Sequence, residues 1–389
     1  MTLSTPDDTP AQPKSVNALI PVNTPLLDGN ERKYVLECLD SQWISSEGPF
    51  VARFEEKYAA IHGRKYGVAV SNGSAALDAA VQALNLGPGD EVILPAFTIV
   101  CCATAIVRVG AVPVVVDSDP ATWNMDPDLV ARAITSRTKA IMVVHIYGLP
   151  VDMDPILTLA EKHGLKIIED NAEEQGQTYR KRICGSFGEI SAFSFYPNKH
   201  VTTGEGGMLM TDDPVLAERC RSLRNLCFQP PRRFVHHELG WNLRMTNLQA
   251  AVGLAQAESL DRHVEMKRQI GRRYNELLGD LPDVQLPLGR TDYAENIYWV
   301  YGMVLGDSHP FDATEMMRRL ESRGIGVRPF FWPIHEQPVY RNMGLFKGVS
   351  CPVAERIARR GFYIPSGLGL KPGEAEIVAQ QVREALLAR

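Results

Sequence analysis

The chain has no apolar run approaching the roughly 18 residues that cross a bilayer. Its first stretch, MTLSTPDDTPAQPKS, lacks both the charged start and the apolar heart of a secretory leader. No membrane partner is expected, and residues 1–20 read as a flexible tail. Cysteine is scarce and unpatterned: Cys38, Cys101, Cys102, Cys184, Cys220, Cys227 and Cys351 form an odd set with no CxxC pair and no zinc-like spacing. This argues against a disulfide scaffold, offers no metal site, and suits buried thiols in the reducing cytoplasm. Positive charge is not in excess either. The 41 Lys and Arg against 46 Asp and Glu leave a net charge of -5, which gives no reason to expect a nucleic-acid partner. Internal repeats are missing, as is low complexity beyond the tail.

What is present, over 389 residues, is material for one large domain and a smaller one. From about residue 64 short β-rich runs alternate with helical patterns: YGVAVS, SAALDAAVQALNL, DEVILP, TIVCCATAIVRVG, VPVVVD, KAIMVVHIYG, MDPILTLAEKHG and LKIIED. That alternation predicts an α/β fold with a mainly parallel, mixed sheet covered on both faces. Next come SAFSFY and GGMLMTDD, two strand-like runs across a glycine turn, and then the helical PVLAERCRSLRN. Residues 247–282 read as one long helical stretch interrupted only by glycine, leading out of a large domain over 21–255. The remainder, 256–389, reads as a smaller α+β domain.

In open parallel sheets ligands bind beyond the carboxyl ends of the strands. Three places there carry candidate chemistry. In SNGSAALDAA, the backbone N–H groups of Gly73, Ser74 and Ala75 open a helix where an anionic phosphate can sit; a tight turn with Ser74 as N-cap is the alternative. In LKIIEDNAEEQG, Glu169 and Asp170 end a strand, and a buried carboxylate there needs a cation such as a protonated pyridine nitrogen; a solvated acidic loop is the alternative. In AFSFYPNKHVTTGEGG, Lys199 follows directly on an apolar run, and partial desolvation would let it lose its proton and attack a carbonyl. A solvated surface lysine is the plain alternative, and Ser194 on the same run adds a hydroxyl for a phosphate. Phosphate nest, strand-end carboxylate and lysine together meet the needs of pyridoxal 5′-phosphate.

The chain also resembles the DegT/DnrJ/EryC1/StrS family of nucleotide-sugar aminotransferases, which are pyridoxal-phosphate enzymes of fold type I, the aspartate aminotransferase-like class. The likeness runs from about Pro21 onwards through WISSEGPFVARFEE, SNGSAALDAA, IIEDNAEEQG, FSFYPNKHVTTGEGGM, GWNLRMTNLQAAVGLAQ and VRPFFWPIH. It implies that Lys199 bonds the cofactor's aldehyde, that Asp170 pairs with the ring nitrogen and that Glu173 contacts the ring hydroxyl. It places phosphate contacts on Gly73, Ser74, Ala75 and Ser194, completed by Asn242 from a second subunit of a homodimer with shared active sites. Two departures stand out: Ile99 occupies the position of an aromatic that stacks on the ring, and Asn171 and Glu174 replace smaller residues beside the aspartate.

A sister branch that carries histidine in place of the lysine performs deoxygenation, so Lys199 decides for transamination. Pyridoxal-phosphate regulators of the same fold usually carry a DNA-binding module, and no basic helix-turn-helix segment precedes residue 20. The substrates implied are L-glutamate as amino donor and a nucleotide-linked 4-keto-6-deoxyhexose, of the GDP-4-keto-6-deoxymannose to GDP-perosamine type. UDP- or dTDP-linked keto-sugars and C3 amination are the alternatives. Arg328, Phe330, Trp332 and His335 of VRPFFWPIH are candidates for the sugar or nucleotide pocket, with a small-domain core as the alternative.

Overall fold

The computed structural model describes residues 19–387. Leu19 and Ile20 apart, the tail expected over 1–20 lies outside the described residues.

Five strands of the seven-stranded main sheet come first in the chain, β1 (Tyr66–Val70), β2 (Glu91–Pro95), β3 (Val112–Val116), β4 (Thr138–Val144) and β5 (Lys166–Asp170), followed by the separate hairpin of β6 (Thr178–Tyr179) and β7 (Arg182–Ile183). The main sheet is completed by β8 (Ile190–Ser194) and β9 (Gly207–Thr211), in the order β1-β9-β8-β5-β4-β2-β3. Only β9 runs against the rest, pairing antiparallel with β1 and β8, while β8, β5, β4, β2 and β3 pair parallel.

Side chains alternate across this sheet, so consecutive residues enter different cores. Val92, Leu94, Met142, Ile168 and Ala192 pack under the helices Gly73–Ala83, Val100–Arg108 and Pro214–Arg224. Their neighbours face the other side: Ile93, Ile141 and Ile167 meet the helix Met153–His163, and Phe193, Met208 and Met210 meet the helices Pro49–Ile61 and Asn247–Glu258. Burial on both faces explains why the strand sequences are apolar runs and do not alternate with polar residues.

The stretch 247–282 is two helices, Asn247–Glu258 and Leu260–Leu278, joined at Ser259. The first opens on a capping box between Thr246 and Gln249 and buries most of its surface. Beyond the second, β10 (Val284–Gln285), β11 (Tyr301–Leu305), β12 (Arg328–Pro329) and β13 (Gly361–Ile364) form an antiparallel sheet in the order β10-β11-β13-β12. The helices Ala313–Glu321 and Glu374–Leu387 pack on it through Met316, Leu320, Val378 and Val382. The start of the chain is bound to this part: Ile20 exchanges backbone hydrogen bonds with Gly324 and Gly326, while Val22 and Thr24 accept from Ser366 and Gly369.

Candidate active site

Asp170 and Ser194 are the last residues of the parallel neighbours β5 and β8, and the helix Gly73–Ala83 begins beside them. Between these ends lies a cavity of about 500 Å³, lined among others by Gly73, Ser74, Ile99, Asp170, Glu173, Ser194 and Lys199.

At the cradle end, the helix Gly73–Ala83 is rich in buried alanine and lies close on the sheet. A Cβ on Gly73 would stand 2.7 Å from the Cβ of Ser194, so only glycine permits this approach. The N-cap is Asn72, not Ser74: its side chain accepts from the N–H of Ala75 at 2.8 Å. Ala75 is therefore engaged by the cap and does not line the cavity, whereas Gly73 and Ser74 do. Their N–H groups, in the first turn, have no carbonyl of the helix to donate to.

The strand β5 separates its two carboxylates by alternation. Glu169 points away from the cavity and accepts from the N–H groups of Gly185, Phe187 and Gly188 and pairs with His145 at 3.2 Å. Burial pushes its pKa up, but these donors outweigh burial and hold it low. Asp170 lines the cavity, and its two oxygens take one donor each. Oδ1 accepts from the N–H of Ala172 at 3.0 Å and Oδ2 from the thiol of Cys102 at 3.3 Å, and burial raises its pKa against these contacts. Glu173 accepts from the N–H of Tyr147 at 2.9 Å, and burial lifts it to about 8, with the nearby charge of Lys199 pulling the other way.

Lys199 sits on the loop between β8 and β9. Gln175 clamps that loop at both ends, donating to the Ser194 carbonyl at 2.7 Å and accepting from the N–H of Val201 at 2.6 Å. Burial lowers the lysine's pKa, while Glu173 and Asp170 oppose the shift. Its Nζ lies 3.6 Å from the ring centroid of Trp299, whose indole N–H donates to the Asn198 carbonyl at 2.9 Å. A desolvated amine, a buried acid lacking a strong partner and an open helix start thus share one cavity. The donor set fits pyridoxal 5′-phosphate: an open helix start suited to an anion, a buried carboxylate and a desolvated amine line the same cavity.

Of the other expected site residues, Ile99 alone lines this cavity. Phe330 belongs to the aromatic core with Phe97, Trp123 and Tyr147, and its neighbour Phe331 lines the cavity. Trp332 is exposed beneath Arg359, and His335 is buried against Glu355 at 2.9 Å. Arg328 pairs in register with Tyr363, itself a cavity residue, and its guanidinium bonds its neighbour's carbonyl. Ile99 opens the helix Val100–Arg108 and is 39% exposed on the cavity wall. Asn171 and Glu174 are fully buried behind the wall. Asn242 is exposed, outside the cavity of its own chain, on a segment held to β1 by a bond from the N–H of Ser71 to the Leu243 carbonyl. Trp299, Cys102 and Gln175 were not singled out by the sequence reading; the only signal for Gln175 was its place in the DNAEEQG run.

Fold and site together define a fold type I pyridoxal-phosphate transferase. The sequence profile of the DegT/DnrJ/EryC1/StrS aminotransferase family matches residues 25–383. The GDP-perosamine synthase of Caulobacter vibrioides is 41% identical over 95% of this chain and 98% of its own length, and that of Escherichia coli O157:H7 is 40% identical over 94% and 98%. Among solved structures, the aminotransferase TlmJ of Streptoalloteichus hindustanus superposes with a TM-score of 0.87 at 32% identity, covering 95% of this chain and 99% of that one. The chain belongs to the DegT/DnrJ/EryC1/StrS aminotransferase family and is a pyridoxal-phosphate-dependent sugar aminotransferase.

Proposed function

We propose that this enzyme moves the amino group of L-glutamate to C4 of a GDP-linked 4-keto-6-deoxyhexose, leaving 2-oxoglutarate and a GDP-4-amino sugar. The nucleotide and sugar are carried by the likeness to three GDP-perosamine synthases, at 38 to 41% identity over at least 90% of this chain. The chemistry is carried by one observation: Lys199, Asp170 and Glu173 line the same cavity as the open helix start at Gly73.

In this reading Gly73 and Ser74 N–H groups and the Ser194 hydroxyl hold the phosphate, with the helix start favouring its negative charge. Asp170 keeps the ring nitrogen protonated, and the new ion pair offsets the burial that disfavours its own charge. Glu173 faces the ring hydroxyl, and below about pH 8 it holds its own proton. When bound, the cofactor supplies an electron-accepting ring that stabilises negative charge at the donor's α-carbon. Lys199 would hold the cofactor, and its Nζ would be the base that takes the proton from that α-carbon. Such a base must be neutral, which burial around Nζ favours. Water is limited by Trp299, Phe331 and Tyr363 along the wall.

The reading also makes the enzyme a cytoplasmic homodimer in which Asn242 completes the partner's phosphate site. Support comes from the segment that carries it: Phe234 and Leu239 are 81% and 92% exposed and Trp241 beside Asn242 is exposed too, apolar side chains of the kind that interfaces cover. Among the described residues no helix is long and apolar enough to cross a membrane.

The test incubates purified enzyme with glutamate and a panel of GDP-, UDP- and dTDP-linked 4-keto sugars, with product mass as the readout and borohydride trapping in parallel. The GDP substrate should gain an amine fastest, and the trapped cofactor mass should fall on the peptide containing Lys199. Faster turnover of a UDP or dTDP sugar would replace the substrate, and a label on another peptide would remove Lys199 from its role.

A further inference from the structure

Behind Asp170, on the side away from the cavity, lies a polar contact that the reaction outlined above leaves unused. The helix Val100–Arg108 starts at the end of β2, and its first turn turns Cys102 inward, where it is fully buried. Cys102 Sγ stands 3.3 Å from Asp170 Oδ2 and 3.5 Å from Thr98 Oγ1. Thr98 is buried as well. The second carboxylate oxygen, Oδ1, takes the N–H of Ala172 at 3.0 Å. Each oxygen of Asp170 therefore has one donor in the protein, one from backbone and one from sulfur.

We propose that Cys102 is a positioning residue for the reaction, its thiol fixing the rotation of the Asp170 carboxylate while leaving that carboxylate basic enough to hold the ring-nitrogen proton. This inference rests on the assignment of Asp170 to that proton. A carboxylate with one backbone donor can still pivot about its Cβ–Cγ bond, and a second donor on the other oxygen stops the pivot. The strength of that second donor matters. An S–H donates weakly, whereas a hydroxyl or charged donor would hold negative charge on Asp170 and weaken it as a base. The thiol remains a donor throughout, because the adjoining Cys101 thiol and burial both push the Cys102 pKa well up, so no thiolate forms beside the acid. Thr98 can pass its own hydroxyl proton to the sulfur as a hydrogen bond, which completes a chain from Thr98 through Cys102 to Asp170.

The experiment uses the holoenzyme and two variants, Cys102→Ala and Cys102→Ser. In Cys102→Ala the rate of the half-reaction with glutamate should fall about tenfold, the scale of one hydrogen bond to a charged group, with KM for glutamate held within about twofold. The pH at which the bound cofactor's visible band changes should move upward by about half a unit, because a carboxylate free to pivot off the ring nitrogen holds its proton less firmly, an effect larger than the small gain in basicity from losing a weak donor, and so leaves the lysine nitrogen more basic. Cys102→Ser, which restores the orientation but as a stronger donor weakens Asp170 as a base, should recover only part of the rate. A cofactor-free readout accompanies these: the infrared S–H stretching band of Cys102, identified by its loss in Cys102→Ala, should move to higher frequency in Asp170→Ala. A structural role alone would lower holoenzyme content and thermal stability without moving the visible-band titration. Wild-type rate and titration in Cys102→Ala, or an S–H band indifferent to Asp170→Ala, would overturn the proposal. Asp170→Asn separates the two levels: near-wild-type activity there would remove Asp170 itself from the mechanism, while silence only in the Cys102 variants would remove Cys102.

Discussion

The contact between Gly73 and Ser194 offers a direct way to move the phosphate cradle without touching the lysine or the acid. In Gly73→Ala the new methyl would lie 2.7 Å from Ser194 Cβ, 3.1 Å from its Oγ and 3.3 Å from its Cα. Carbon atoms settle at roughly 3.5 to 4.0 Å, so helix and strand must part by about 1 Å. The strand β8 is paired on both sides, to β5 and β9, so the helix start is the part that yields. Overpacking of this kind costs about 1–3 kcal/mol. Unfolding entropy scales with chain length, so over a chain of this size the melting temperature should drop by only about 1–4 °C. Cofactor binding should suffer more. A cradle moved by about 1 Å loses at least one charge-assisted hydrogen bond, and the dissociation constant should rise about 10- to 100-fold. The assay is cofactor titration by absorbance next to a thermal melt of the cofactor-free protein. Adding Ser194→Gly removes two of the three contacts, leaving only the Cα at 3.3 Å, and should restore the melt. It should not restore full binding, since the Ser194 hydroxyl is gone. Unchanged cofactor affinity in Gly73→Ala, or no recovery of the melt in the double variant, would refute the close-approach argument.

Three further outcomes are expected. Glu173 has a folded-state pKa of about 8, raised by burial from an ordinary 4.5; the stability it contributes is complete below pH 4.5 and is lost as pH rises through about 8. The cofactor-free Glu173→Gln variant should therefore lose less stability than wild type between pH 5 and 9 in denaturant melts. That difference also separates Glu173 from buried Lys267, whose pKa burial lowers to about 7 and which acts in the opposite direction. Mixing inactive Asn242→Asp with inactive Lys199→Ala should regenerate activity on subunit exchange, because one heterodimer site collects both defects and the other is intact; exchange without recovery would assign Asn242 to its own subunit. His335→Ala, which breaks the buried contact with Glu355, should lower the melting temperature and leave KM for the nucleotide sugar within about twofold, and a large KM change would return His335 to the substrate pocket.

How far the sequence can be read depends on whether a signal is local. The strands β1 to β5, β8 and β9 were legible because each is an apolar run of its own, and Lys199 and Asp170 because each directly follows one. The helix Glu31–Ser41 was not legible: its apolar face is thin, with Leu36 and Leu39 left outside. The joint at Ser259 was missed because neither glycine nor proline marks it. In VRPFFWPIH the apolar residues are plain, but their phase is not. Phe330 turns into the core and Phe331 into the cavity, a choice set by the pairing of β12 with β13, which the segment itself does not encode. Trp299 meets Lys199, and Cys102 meets Asp170, only after distant segments have been folded together. The alternative that made Ser74 the cap falls to Asn72 for another reason: the two residues are equally able to cap, and the backbone angles at Asn72 make the selection.

The fastening of Ile20, Val22 and Thr24 to Gly324, Gly326, Ser366 and Gly369 has a consequence for the order of events in the cell. These are among the earliest residues of the described chain to leave the ribosome, and their partners are among the last. The main sheet closes at Thr211 and can gather its strands while synthesis continues, but Ile20 waits for Gly324 and Gly326, and Val22 and Thr24 wait for Ser366 and Gly369. A chain ending before Ser366 would still pair Ile20 with Gly324 and Gly326 but would leave the carbonyls of Val22 and Thr24 without their partners. An early segment thereby reads a late one through its hydrogen bonds, and a chain ending shortly before Ser366 should be degraded faster than one that includes Ser366 and Gly369, even though every residue lining the cavity has been made.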